Sequence, residues 1–163
     1  MNDTAKLAGF FAAHAVWSVS DGETLVPLLA FAKFDGVREM ARLEGADMAE
    51  AIEAGRNWLA NNPDAAQRAV LIYDGYVTRE SGEKTDGLII EAREYGEQPR
   101  SFTMTVPYRN AAHAEGFLVY RPAVESLSDA DVSIADISQA FFRGVNQHRQ
   151  AAPVWARHFN PEA

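Results

Sequence analysis

The 163 residues include 23 acidic and 15 basic side chains, a formal charge of −8, and no cysteine. The charge balance works against attraction to nucleic-acid backbones or anionic lipid, and the missing thiols exclude disulfides, thiolate metal sites and cysteine nucleophiles. With 47% hydrophobic and 23% charged residues the chain reads as one globular domain over residues 1–163.

The first residues, Met1-Asn2-Asp3-Thr4-Ala5-Lys6, lack the basic start of an export signal, and the apolar stretch from Leu7 to Val19 is too short to span a bilayer. The expected setting is therefore cytoplasmic, with no membrane partner. From Asp3 to Val19, Leu7, Phe10, Phe11, His14 and Trp17 follow the rhythm of one helix face. Thr24 to Phe34 and Val37 to Glu44 read as a hairpin across Asp35-Gly36, with Pro27 placing the first strand at an edge or weakening it. The good helix formers after Val37 offer a competing helical reading. Ala46 to Asn61 is the second expected helix, stopped by Asn61-Asn62-Pro63-Asp64.

The period then changes to two. Arg68 to Thr78, Gly87 to Tyr95, Arg100 to Arg109 and Gly116 to Val124 predict an antiparallel meander joined by short links. In the third run Phe102, Met104, Val106 and Tyr108 alternate with Ser101, Thr103, Thr105 and Arg109, giving one buried and one polar face. Ser133 with Asp136 caps a last helix from Ile134 to Arg149, and a short aromatic tail follows from about residue 151. Asp-Gly recurs at Asp21, Asp35, Asp74 and Asp86 and signals turns. The segment from Asp35 to Gly45 also aligns without gaps to Asp86 to Gly96, which raises an ancient ββ duplication beside chance. The predicted fold class is α+β, order α-β-β-α-β-β-β-β-α, with a largely antiparallel sheet of about six strands and helices mainly on one face.

Chemistry is sparse in this pattern. Phosphate-cradling glycine loops and the Gly-x-Ser-x-Gly elbow are missing, so no nucleotide cofactor or serine nucleophile is indicated. His14, His113, His148 and His158 show no metal-ligand spacing; a site would need helix packing to bring His14 and His148 together beside Asp136 or Glu23. No metal and no cofactor are expected. Arg93, Tyr108, Arg109, Tyr120 and Arg121 form the candidate ligand-binding set, since two arginine forks at the ends of one hairpin suit a carboxylate or phosphate. Cross-strand pairing of those arginines with Glu91 and other acids is the competing account.

The aromatics Phe10, Phe11, Trp17, Phe141, Phe142, Trp155 and Phe159 exceed what one buried stripe per helix needs. They either widen the core face or form a patch that pairs with another subunit. The leading expectation is a non-catalytic cytosolic protein acting by self-association, as a homodimer, or through a protein partner. The alternative is a small enzyme or metabolite-binding domain that recognises an anionic small molecule through the Arg/Tyr set.

Overall fold

Alternating apolar residues in strands from both halves of the chain build the sheet that carries everything else. The computed structural model describes residues 1–162. Its strands are β1 (Leu28–Ala32), β2 (Arg38–Arg42), β3 (Arg68–Thr78), β4 (Lys84–Glu94), β5 (Arg100–Arg109), β6 (Leu118–Val119) and β7 (Ala123–Leu127). They form one seven-stranded sheet in the order β2-β1-β3-β4-β5-β6, with β7 also pairing β5, and every pairing is antiparallel. The runs Arg68–Thr78 and Arg100–Arg109 match the sequence expectation residue for residue. The expected run from Gly116 to Val124 divides into β6 and β7, which adds the seventh strand.

Leu28, Ala30, Val70, Ile72, Leu88, Ile90, Phe102, Met104 and Val106 share one face of this sheet. On that face pack α1 (Asn2–Val19), α3 (Ile134–Gln147) and α4 (Ala151–His158). On the opposite face α2 (Met48–Asn61) covers β1 and β3 around Leu29, Phe31, Leu59, Leu71 and Tyr73. The architecture is α+β, with helices mainly on one face. Asp47 and Ser133 cap α2 and α3 by accepting from the amides of Glu50 and Asp136.

Glycine sets the closest helix contact. A Cβ on Gly9 of α1 would lie 1.8 Å from the Phe141 carbonyl oxygen, and one on Gly144 of α3 would lie 2.0 Å from that of Lys6. Only paired glycines let these two backbones touch, so the crossing is fixed to one depth and register.

Two turn signals serve another purpose. Asp74-Gly75 and Asp86-Gly87 lie inside β3 and β4, where Gly75 stands directly opposite Gly87. A Cβ on Gly87 would approach Val77 Cγ2 to 2.6 Å, so bare backbone makes room here for neighbouring side chains. The β3–β4 turn instead uses Gly82 at φ +85°, while Asp35-Gly36 does form the β1–β2 turn, with Gly36 at φ +80°. Since Asp35-Gly36 turns and Asp86-Gly87 does not, the matched segments occupy unlike backbone positions. The expected tail is also different: residues from Ala151 form α4, and Pro153 sits in its first turn, where a missing amide hydrogen costs nothing.

Candidate functional site

The five residues expected to grip an anion are dispersed among separate structural partners. Tyr108 is buried on the helix-covered face, where its hydroxyl donates to Asp74 with oxygens 2.7 and 2.8 Å away. Arg109 binds its own loop, donating to the Gly116 and Glu115 carbonyls and to the Glu115 carboxylate. Tyr120 is buried beneath the guanidinium of Arg79, 3.7 Å from its ring centroid. Arg121 donates to the Pro161 carbonyl, and Arg93 lies opposite Ser101 on the β4–β5 ladder, away from the other four. The hairpin that joins Tyr108-Arg109 to Tyr120-Arg121 is present, with Arg109 facing Leu118.

The sheet edge at β2 gathers a different set. Backbone bonds from Leu43 to Pro27 and from Lys33 to Val37 show which residues turn toward β1. Val37, Glu39, Ala41 and Leu43 face β1, so alternation turns the N–H and C=O of Arg38, Met40 and Arg42 outward. All five residues of β2 are exposed. Register pairs Arg38, Met40 and Arg42 with Ala32, Ala30 and Leu28, which places their side chains on the helix-covered face beside α1.

There the Arg38 guanidinium stacks on Phe10 at 4.2 Å, and neither Arg38 nor Arg42 has a carboxylate within ion-pair distance among the described residues. Trp17 and Met40 are 41% and 39% exposed on this flank, while most of the other clustered aromatics pack against one another between α3 and α4. This edge was not legible as a site, because the sequence shows a strand but not which strand ends the sheet.

Helix packing brings His14 and His148 together, with His148 Nε2 3.4 Å from His14 Nδ1. The Ala151 amide donates to His148 Nδ1 at 3.1 Å, so the His148 proton sits on Nε2 and points to His14. His14 Nδ1 then accepts, leaving its own proton on Nε2. Phe10 and Trp17 flank the pair at 4.8 and 6.0 Å from the His148 ring. Burial lowers both imidazoles below their ordinary value, and His148 and Arg42 push His14 the same way. Beside His14 lies a cavity of about 80 Å³ lined by Ser18, Glu23, Leu25, Val26, Leu28 and Arg42. His14 falls on the apolar stripe of α1, and His148 ends α3 in line with the apolar stripe read from the sequence, which was the only sequence signal for their meeting.

Elsewhere polar groups are structural. Burial raises Asp74 above the usual carboxylate range, against the hydrogen bonds of Tyr108 and the Leu25 amide. Burial and Asp74 together push Tyr108 well above an ordinary phenol. Glu94 is opposed by burial, yet Arg100, Thr4 and the terminal amine hold it below its ordinary value. It borders an acidic groove of about 400 Å³ with Asp3, Asp131, Ser133 and Asp136. Among the described residues no three His, Asp or Glu side chains are placed to hold a metal ion, and no helix is long and apolar enough to cross a membrane. Comparison with protein-family models, curated proteins and solved structures found no match.

Proposed function

We propose that the protein is a non-catalytic cytoplasmic protein that works as a homodimer, two copies joining β2 to β2 across a two-fold axis into one continuous antiparallel sheet. The observation that carries this reading is the fully exposed edge strand with outward backbone groups on Arg38, Met40 and Arg42. Exposed edges of this kind are ordinarily blunted or paired. Here the strand itself carries half-exposed Met40 and two arginines without acidic partners among the described residues. The absence of cysteine fits a reducing compartment.

Charge selects the register. Antiparallel pairing about a two-fold axis joins outward-facing residues to outward-facing residues. Centring on Met40 would set Arg38 against Arg42 of the second copy, a like-charge opposition that costs stability. Centring on Ala41 sets Met40 against Arg42 and Arg38 against Glu44, twice by symmetry. The second register is the one proposed.

Analytical ultracentrifugation across a dilution series tests it. Wild type is expected to sediment as a dimer, and Met40→Pro as a monomer of unchanged fold, because the lost N–H faces away from β1. Glu44→Arg and Arg38→Glu should each weaken the dimer, and the double exchange should restore it. A wild type that is monomeric throughout, or a dimer indifferent to Met40→Pro, rules the reading out.

A further inference from the structure

We infer that the cavity between His14, Ser18 and Arg42 binds a small carboxylate, whose oxygens take the His14 Nε2 proton and the Arg42 guanidinium. The inference rests on the site itself and not on pairing at β2. Three observations converge on it.

The first is the directed chain of donors. The Ala151 amide fixes the tautomer of His148, His148 fixes that of His14, and the last N–H in the series belongs to His14 Nε2. That nitrogen has no hydrogen-bond partner among the described residues, and it is not among the sealed, unpartnered atoms, which are Arg68 Nε and Trp155 Nε1. It is therefore a solvent-reachable donor of defined orientation. A histidine that served only to fill the core would not need its proton placed on the outer nitrogen by two successive hydrogen bonds.

The second is charge. The molecule carries a net charge of −8, yet Arg42 lines this cavity with no ion-pair partner among the described residues, and Arg38 stands nearby over Phe10 in the same condition. An unpaired guanidinium beside an oriented imidazole donor matches two oxygens on one carbon. Ser18 already donates to the His14 carbonyl at 3.0 Å, so its hydroxyl holds the helix end in place and contributes no free proton.

The third is size and selectivity. A cavity of about 80 Å³ has room for a head group of a few heavy atoms, and Leu25, Val26 and Leu28 make one side of its wall apolar, with Thr24 beside them. Glu23 stands on the lining as well. Its negative charge penalises a dianion such as phosphate more than a single carboxylate. The ligand class is accordingly a monocarboxylate with a compact apolar substituent, of which acetate and propionate are the simplest members.

The groups that surround the imidazoles also set how binding responds to pH. From α1 these are Phe10, Trp17 and Ser18; from the segment after it, Glu23; from β2, Arg38 and Arg42; from the α3–α4 junction, the Ala151 amide. The two arginines oppose a charged imidazole and Glu23 favours one. A bound carboxylate adds a second favourable charge, so occupancy should raise the His14 titration point.

Long-range proton–nitrogen NMR of the imidazoles during titration with sodium acetate tests the proposal, with sodium chloride at matched ionic strength as the reference. His14 and His148 are expected to show the proton on Nε2, and His14 to shift saturably with acetate while exposed His113 does not. Arg42→Gln, an exposed substitution, should weaken the response roughly tenfold or more, the loss expected of one charge-assisted bond. Arg149→Gln should leave it unchanged. Repeating the titration in Met40→Pro protein separates this site from dimer formation, since binding should survive there. A response equal to that with chloride, phosphate binding as tightly as acetate, or full retention in Arg42→Gln would overturn the assignment.

Discussion

At the scale of single residues the most consequential contact is the one between Asp74 and Tyr108. Tyr108 is buried and Asp74 half-buried on the helix-covered face, and the tyrosine hydroxyl supplies a bond that compensates the carboxylate, which also accepts from the Leu25 amide and stands opposite Leu88. Because burial raises the folded-state affinity of Asp74 for a proton, this group opposes folding above its raised value and ceases to do so as pH falls through it. Tyr108→Phe takes away a bond to the charged form and raises Asp74 further. The variant should lose about 1–3 kcal/mol near neutral pH and distinctly less near pH 4, as read by urea unfolding at both values. Tyr108 was legible in the sequence as the inward end of an alternating strand. Its partner was not, because Asp74 lies on β3 and meets Tyr108 of β5 across β4, a contact that depends on strand order and register.

Among the elements, the crossing of α1 and α3 depends on Gly9 and Gly144 having no side chain. Each added methyl would meet backbone, which cannot rotate away. Gly9→Ala and Gly144→Ala should each cost roughly 1–3 kcal/mol or somewhat more, measured by chemical denaturation. Both should also broaden or shift the His14 and His148 imidazole resonances, since parting the helices opens their 3.4 Å contact. Gly36→Ala, at a turn with open space around it, would strain its backbone locally and leave those resonances in place. The stripes of α1 and α3 were readable from apolar spacing, and so were the helix-forming capacity of Met48 to Asn61 and the long strands. What sequence periodicity leaves out is depth. A glycine within a helical pattern reads as weakness, and only the neighbouring backbone shows it to be the point of closest approach. The same limit hid α4, since Pro153 carries the look of a terminator until it is placed in a first turn.

For the molecule as a whole, acid should loosen the joint between its helical layer and the sheet edge. Both histidines have folded-state values lowered by burial. A lowered histidine binds fewer protons folded than unfolded, so the stability present above about pH 6.5 is lost as pH falls toward the folded values and then levels off. The slope contributed by each histidine is at most about 1.4 kcal/mol per pH unit. Thermal unfolding from pH 7.5 to 5 should show this decline in wild type and a flatter profile in His14→Gln/His148→Gln protein. Asp74 acts with the opposite sign. Fold class was legible at this scale because about six β-rich runs, four of them consecutive with brief links, admit few arrangements. Of the candidate site only the pairing of His14 with His148 near Glu23 was raised by the sequence, as something helix packing would have to supply; Arg42 was not, because its place depends on which strand ends the sheet. Arg109 and Arg121 drew attention by their repeated Tyr-Arg setting, yet Arg109 is taken up by Glu115 and Gly116 of its own loop, and Arg121 donates to the Pro161 carbonyl.

The union of α1 with α3 also sets the order in which the molecule can be finished. The β3–β4–β5 meander pairs neighbours in sequence and can close early, but the first helix finds its partner only after residue 134 has been made. During synthesis, Leu7, Phe11 and Val16 therefore emerge well before the α3 residues that enclose them and are among the last apolar groups to be fully covered. A nascent chain stalled before α3 would present that helix to whatever cellular machinery shields unfinished proteins, so the interval before its release is the period of greatest exposure to misassociation.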